Sequence, residues 1–136
     1  MNIRIEKFKK IDSVEVALLP LNIFIGTNNS GKSSFIQGIQ FAVSSSQTLK
    51  LKNVPWKSQS DSQTLNLDST DFLYTPTRHI ENLYHGKRLI TSRKRADRIS
   101  MNFTFTDNDQ ASISVSRGKN GGFATVLTGK ALGITF

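Results

Sequence analysis

The sequence contains no cysteine and no long hydrophobic run. Without thiols, the chain forms no disulfides and offers no thiolate ligands to a metal. No apolar stretch approaches the roughly 20 residues that cross a bilayer, and the first residues lack the apolar region of a signal peptide. These absences predict a cytoplasmic protein that makes no contact with a membrane.

Acidic residues are also scarce. The chain has ten Asp and Glu against eighteen Lys and Arg, which gives a formal charge of +8. The excess is concentrated in residues 78 to 98, which hold seven basic side chains against two acidic ones. Such a cluster is able to contact DNA or RNA electrostatically, through Arg93, Lys94, Arg95 and Arg98. No base-reading or stacking pattern accompanies the cluster, so a solvated face or a surface for an acidic partner also accounts for it.

What the sequence does contain is a polar, glycine-rich loop, "IGTNNSGKSS" at residues 25 to 34. Gly26, four further residues and then Gly31, Lys32 and Ser33 match the phosphate-loop pattern G-x-x-x-x-G-K-[ST]. A short apolar run at residues 21 to 25 precedes the loop and predicts a buried strand. Apolar residues at helical spacing follow the loop and predict a helix over residues 32 to 44, ending in a serine cluster. Strand, loop and helix are the setting that this motif needs.

The chemistry of the loop follows from its backbone. Gly26 and Gly31 let the chain approach an anion without a Cβ in the way, and main-chain N–H groups at the start of the helix attract phosphate. Lys32 is expected to reach the β- and γ-phosphates, and the Ser33 hydroxyl to join the coordination shell of Mg²⁺. The predicted cofactors are therefore ATP and Mg²⁺. Further candidate phosphate contacts are Asn28, Asn29, Ser30 and Ser34.

Alternating apolar and polar residues predict most of the remaining structure. Residues 3 to 8 and 14 to 18 alternate on either side of a turn, and residues 99 to 106 are expected to pair with 111 to 117. Residues 123 to 127 predict a third strand of that group, residues 81 to 86 a short helical turn, and residues 50 to 70 a surface loop. The sequence predicts an α/β fold in which a mixed sheet, antiparallel from residue 99 onward, carries the helix on one face.

Residues 2 to 42, "NIRIEKFKKIDSVEVALLPLNIFIGTNNSGKSSFIQGIQFA", resemble the start of ABC-class ATPases of the SMC, RecF and OLD group. Those proteins begin with a strand that ends in Phe and a basic residue, a turn, a second strand and then "N-x-x-x-G-x-N-x-[SA]-G-K-[ST]". Asn28 and Asn29, with "DFLYTPTRHIENLYHGKRL" at residues 71 to 89, are most similar to the OLD-like and RecF-like branch. That branch includes bacterial anti-phage defence ATPases of the Septu type. The resemblance implies a P-loop NTPase fold of the ABC-ATPase type.

The resemblance implies that residues 1 to 136 form the ATP-binding N-terminal lobe of an ATPase head, as a piece of a larger protein. In the family, two heads enclose two ATP molecules, which implies a homo-oligomer. The Walker B, catalytic glutamate and signature motifs belong to a C-terminal lobe, and no match to them occurs in this sequence. The implied function is ATP binding, with hydrolysis once a C-terminal lobe and a second head complete the site, in phage defence or DNA repair. The alternative is a nucleotide-sensing module that stabilises an assembly with a nuclease partner without turnover.

Only a few residues outside the loop match functional positions of the family. Lys9 matches a basic position in the first turn of the family's proteins, where the side chain contacts phosphate or adenine. The alternative is that Lys9 is a solvated turn residue and that Lys10 has this role. The glutamine that senses Mg²⁺ and the γ-phosphate corresponds to Gln59 or Gln63.

Other polar and aromatic residues predict no further site. His79 and His85 are six positions apart and are expected to have no carboxylate or thiolate neighbours, so a metal site is not expected. No Ser/His/Asp arrangement suggests nucleophilic catalysis. The aromatic residues beside the prolines and in the basic region allow either base stacking or local packing, and they are Trp56, Tyr74 and Tyr84.

Overall fold

The computed structural model describes residues 2–18, 31–57, 62–86, 89, 97–106, 109–118 and 121–129. Six strands and one long helix follow in the order β1 (Asn2–Phe8), β2 (Ile11–Ala17), α1 (Lys32–Leu51), β3 (Ser62–Leu67), β4 (Arg98–Thr106), β5 (Asp109–Arg117) and β6 (Phe123–Thr128). A short 3-10 helix, Ile80–Leu83, lies between β3 and β4. Neither of these helices has the length and apolar content needed to cross a membrane.

The strands form one sheet in the order β2-β1-β4-β5-β6-β3. Every pairing between described strands is antiparallel. The mixed strand direction that the sequence predicted is therefore not seen among them, and the strand predicted at residues 21 to 25 lies outside the described residues. The predicted pairing of residues 99 to 106 with 111 to 117 is confirmed, and β6 adds the predicted third strand beside β5.

Period-two alternation gives the sheet one apolar face and one face of short polar side chains. The apolar face contains a row of paired residues that runs across four strands, namely Ile5, Met101, Ile113 and Leu127. All four are buried, whereas the serines between them in β4 and β5 lie on the opposite face and are partly exposed. The core therefore lies on the side of the sheet that α1 covers.

The helix is longer than the sequence predicted, because the serine cluster at residues 44 to 46 does not end it. Ser45 Oγ donates to the Phe41 carbonyl (2.8 Å), and Thr48 Oγ1 donates to the Ser44 carbonyl (2.8 Å). Ser44 Oγ accepts from the Tyr74 N–H (2.7 Å) and donates to the Tyr74 carbonyl (3.1 Å). The hydroxyls are thus satisfied inside the helix or by a neighbouring segment, and α1 continues to Leu51.

The prediction of a loop over residues 50 to 70 was also wrong in part, since β3 lies within it. This edge strand pairs with β6 from Ser62 to Leu67, in register with Thr128 to Phe123. The Asn66 side chain donates to the Gly121 carbonyl (3.0 Å) and so fastens the strand to the turn before β6. The predicted short helical turn is confirmed, because Ile80–Leu83 overlaps residues 81 to 86.

Gly38 lets α1 approach the sheet closely. A Cβ at this position would lie 2.9 Å from Ile5 Cδ1 and 3.4 Å from Phe8 Cδ1, closer than a side chain normally tolerates. One turn further along, the Phe41 ring lies 6.1 Å from the Phe8 ring and 5.4 Å from the Phe72 ring between centroids. These contacts fix the axis of α1 above β1 and so determine where the helix presents its first residues.

Candidate functional site

The first turn of α1 is the centre of the candidate site. Gly31 is the N-cap residue and has a left-handed backbone, with φ 91° and ψ 0°, and its carbonyl accepts from the Phe35 N–H (2.9 Å). Among the described residues, a Cβ at Gly31 would meet only Ile11 Cγ1, at 3.9 Å, and the left-handed backbone by itself favours glycine here. The second glycine of the phosphate-loop pattern is therefore explained by local geometry.

The start of α1 is suited to an anion. The first N–H groups of a helix have no partners within the helix and carry the positive end of its dipole. Gly31 gives no side-chain cap, and the first turn of α1 contains no acidic residue to offset that charge. Lys32 adds a further positive charge in the same turn. The described part of the site thus concentrates positive potential at one point of the fold.

The two serines that follow Lys32 point in different directions. Ser33, the residue predicted to coordinate Mg²⁺, is exposed. Ser34 is buried, with 4% of its surface exposed. Ser34 can therefore offer a phosphate its main-chain N–H more readily than its hydroxyl.

Lys9 lies beside α1. Its Nζ donates to Gln37 Oε1 (2.5 Å), and Gln37 follows Ser33 by one helical turn on the same side of the helix. The structure thus brings Lys9 next to the first two turns of α1, whereas Lys10 is exposed. Of the two lysines between which the sequence left the choice open, the geometry favours Lys9.

The charge of a second lysine in this region is offset. Lys7 Nζ forms a salt bridge and hydrogen bond with Asp12 Oδ1, and this hydrogen bond, followed by the charge of Lys7, holds the pKa of the Asp12 carboxyl below its usual range. Lys9 is different, because Gln37 is neutral and does not offset its charge. Lys9 accordingly adds to the positive potential near the start of α1.

Several predicted site residues lie outside the described part of the chain. They are Gly26, Asn28, Asn29, Ser30 and Gln59, together with Arg93, Lys94 and Arg95 of the basic stretch. Arg98, the remaining candidate for DNA contact, is exposed at the first residue of β4.

Gln63 and the aromatic candidates have structural partners. Gln63 is buried in β3, and its Nε2 donates to the Val54 carbonyl (2.6 Å), so its amide holds the segment after α1 against the sheet. Tyr84 is buried and Trp56 packs against the core, which favours local packing over base stacking. Tyr74 is partly exposed and is held through its main chain by Ser44.

The expectation that no carboxylate neighbours either histidine was wrong. His79 Nδ1 lies 3.8 Å from Glu81 Oε1, and Arg117 Nη1 lies 3.9 Å from Glu81 Oε2. Among the residues that the structure describes, no group of three or more His, Cys, Asp or Glu side chains is placed to hold a metal ion.

Sequence reasoning missed the contacts that hold Lys9. His85 Nδ1 lies 2.8 Å from the Lys9 carbonyl, and the Lys9 N–H donates to the Leu83 carbonyl (2.6 Å). His85 and Lys9 are 76 positions apart, and no local pattern in the sequence links them.

A family model for the AAA ATPase domain matches residues 1–130. The chain therefore belongs to the AAA ATPase domain family, whose general activity is ATP binding and hydrolysis, and this confirms the predicted ATPase relationship at the family level. No curated protein and no solved structure matches the chain.

Proposed function

We propose that this chain is the ATP-binding N-terminal lobe of an ABC-type P-loop ATPase, and that the start of α1 receives the phosphates. The observation that carries the proposal is the convergence of a left-handed Gly31, Lys32 and exposed Ser33 on a helix N-terminus without acidic residues. Lys9 approaches the same end of the helix from the turn between β1 and β2. Such an arrangement binds a polyphosphate through main-chain N–H groups and lysine charges.

Each residue has a distinct role in this proposal. Lys32 neutralises charge on the β- and γ-phosphates, and Lys9, which contacts Gln37 in the second turn of α1, adds a second cation. Ser33 is the residue that would help to hold Mg²⁺, which supplies further charge neutralisation on the phosphates when it is bound. Gly31 gives the ligand close access to the main chain.

Hydrolysis requires groups that activate and orient water, and the first turn of α1 supplies no carboxylate for that purpose. We propose that a C-terminal lobe and a second head supply them in a homo-oligomer, in a RecF/OLD/SMC-like ATPase of phage defence or DNA repair, with Septu-type ATPases as the nearest expectation. The alternative is that the chain is a nucleotide-sensing module that stabilises an assembly with a nuclease partner without steady turnover.

The role of Ser33 is tested by the effect of Mg²⁺ on ATP binding. We expect Mg²⁺ to tighten ATP binding by the unaltered protein, and we expect Ser33→Ala to reduce that gain by about tenfold, because a group that holds the metal is lost. The measurement is an ATP titration with Mg²⁺ and with a chelator. Ser69→Ala, which removes an exposed hydroxyl from the turn after β3, is the matched control. An equal gain from Mg²⁺ in all three proteins would contradict the assignment of Ser33.

Turnover separates the two candidate functions. If the chain belongs to a hydrolysing head, the complete protein converts ATP at a rate per molecule that rises with protein concentration, since a second head completes the site. If it is a sensing module, ATP increases the yield of the complex with its partner while steady turnover stays at background.

We further propose that Arg93, Lys94, Arg95 and Arg98 meet a nucleic-acid backbone. The exposure of Arg98 at the start of β4 supports this, and the acidic residue beside it, Asp97, is buried. Binding should then weaken with salt, with a log–log slope of about −0.9 per phosphate neutralised on duplex DNA. Alanine at 93, 94 and 95 should flatten that slope by up to about 3 and weaken all sequences alike.

The measurement is a salt titration of DNA affinity in the full assembly. A matched variant with alanine at three exposed lysines elsewhere, Lys10, Lys50 and Lys57, controls for the loss of three positive charges. If the basic stretch docks a partner chain instead, its triple substitution lowers the yield of the complex and spares DNA binding. An unchanged slope in the 93–95 variant would remove the nucleic-acid role.

A further inference from the structure

The end of β1 and the turn that follows it have an unusual backbone. Lys7 and Lys9 both have positive φ, of 60° and 51°, although neither is glycine. Left-handed conformations are unfavourable for residues with a Cβ, and they persist only where the surrounding structure imposes them. Neighbouring residues must therefore hold Lys9, the lysine that approaches α1, in this conformation.

The segment from Leu83, the last residue of the 3-10 helix, to His85 imposes this conformation. The Lys9 N–H donates to the Leu83 carbonyl (2.6 Å), and the His85 N–H donates to the Lys7 carbonyl (3.1 Å), on either side of a bridge between Phe8 and Tyr84. The side chains of Leu83 and Tyr84 are buried, which anchors this segment in the core. Residues 83 to 85 thus act as a short strand beside the turn.

His85 adds a side-chain contact to this main-chain pairing. Its Nδ1 lies 2.8 Å from the Lys9 carbonyl, and a carbonyl only accepts, so Nδ1 carries the proton and donates. The N–H and the carbonyl of Lys9 are therefore both held, the first by Leu83 and the second by His85. The side chain of Lys9 then extends to Gln37 on α1, a neutral partner that a phosphate can replace.

We propose that His85 is a positioning residue for nucleotide binding. It holds the main chain of Lys9 in its left-handed conformation, so that the ammonium group stays beside the first turns of α1 and can move from Gln37 to a phosphate of bound ATP. This inference rests on the proposed function, because it requires that the start of α1 receives the nucleotide. It extends that function to a residue far away in the sequence, in the segment that leads to the basic stretch.

The test is a double-mutant cycle on ATP affinity, measured with the whole protein and Mg²⁺. His85→Ala should weaken ATP binding by about 3- to 10-fold, the effect of one lost hydrogen bond. In a Lys9→Ala background the same change should weaken binding by less than about 1.5-fold, because the group that His85 positions is already gone. His85→Asn should restore affinity to within about twofold of the unaltered protein, since the asparagine amide nitrogen occupies nearly the position of Nδ1.

His79→Ala is the matched control, because His79 is an exposed histidine at the other end of the 3-10 helix, and it should change ATP affinity by less than about 1.5-fold. An equal loss from His85→Ala in both backgrounds would overturn the proposal, as would full affinity in Lys9→Ala or no recovery in His85→Asn. Thermal unfolding without nucleotide shows whether the His85→Ala protein is folded. If it is not folded, the ATP affinities of His85→Asn and of His85→Asn combined with Lys9→Ala are compared instead. If the proposed function itself is wrong, the result is different, because the Lys32→Ala protein then also binds ATP with ordinary affinity.

Discussion

Lys32→Ala is expected to weaken ATP binding by about 10- to 150-fold and to leave the fold intact. Charge-assisted hydrogen bonds contribute about 1.5–3 kcal/mol, and each 1.4 kcal/mol is a factor of ten in affinity. Lys32 lies in the first turn of α1, beside the left-handed Gly31, and its side chain is only partly buried. If the side chain serves a bound phosphate rather than the core, as proposed, unfolding should begin at the same urea concentration as in the unaltered protein.

The control for this prediction comes from the other end of the same helix. Lys50 is exposed in the last turn of α1, where a cation interacts favourably with the helix dipole. Lys50→Ala removes the same charge from the same helix and should cost about 0.3–1 kcal/mol of stability without changing ATP affinity. Isothermal titration of ATP into both variants, with circular dichroism to verify the helix, separates the two effects. Ordinary ATP affinity in Lys32→Ala would contradict the phosphate-loop assignment.

Five of the six described strands, all except β3, and the start of the helix could be predicted because the signals for them are local. Alternation in residues 99 to 106 and 111 to 117 specifies which side chains face the core, and the observed register pairs Ile99 with Val115 and Met101 with Ile113. The short polar turn expected between the two strands makes an antiparallel pairing the simplest connection.

The end of α1 and the strand β3 could not be predicted, because both depend on distant partners. Ser44 would favour a helix end by its own propensity, but its hydroxyl is bonded to the main chain of Tyr74, 30 positions later. β3 has only two apolar residues, Leu65 and Leu67, and its pairing with β6 joins residues about 60 positions apart. Tertiary contacts outweighed local preference at both places.

The candidate site also contains residues that local signals predict and residues that depend on distant partners. Gly31, Lys32 and Ser33 could be placed from the sequence, because the left-handed glycine and the helix that follows it are local consequences of the motif. The arrangement of Lys9 could not, because Gln37 and His85 lie 28 and 76 positions away from it. The resemblance to the ATPase family indicated that Lys9 matters, and only the fold shows what holds it.

The second large effect is expected on stability, from Phe41→Ala. Phe41 is fully buried on α1, and its ring is stacked on Phe72 at 5.4 Å with an interplanar angle of 21°. It also contacts Phe8 of β1, so one side chain joins the helix, the sheet and the segment after β3. Replacing a buried phenylalanine by alanine costs about 3–5 kcal/mol, from lost transfer free energy and the cavity that remains.

That loss is large against the roughly 5–15 kcal/mol that holds a domain together, so Phe41→Ala should unfold at a much lower urea concentration. Ile36→Ala is the matched control, because Ile36 lies on the same helix with 44% of its surface exposed and should cost about 1 kcal/mol or less. Saturating ATP should recover part of the loss in Phe41→Ala, because a ligand that binds only the folded state stabilises it. Equal destabilisation by the two substitutions would show that α1 is not anchored through Phe41, and the position assigned to the first turn of the helix would then lose its support.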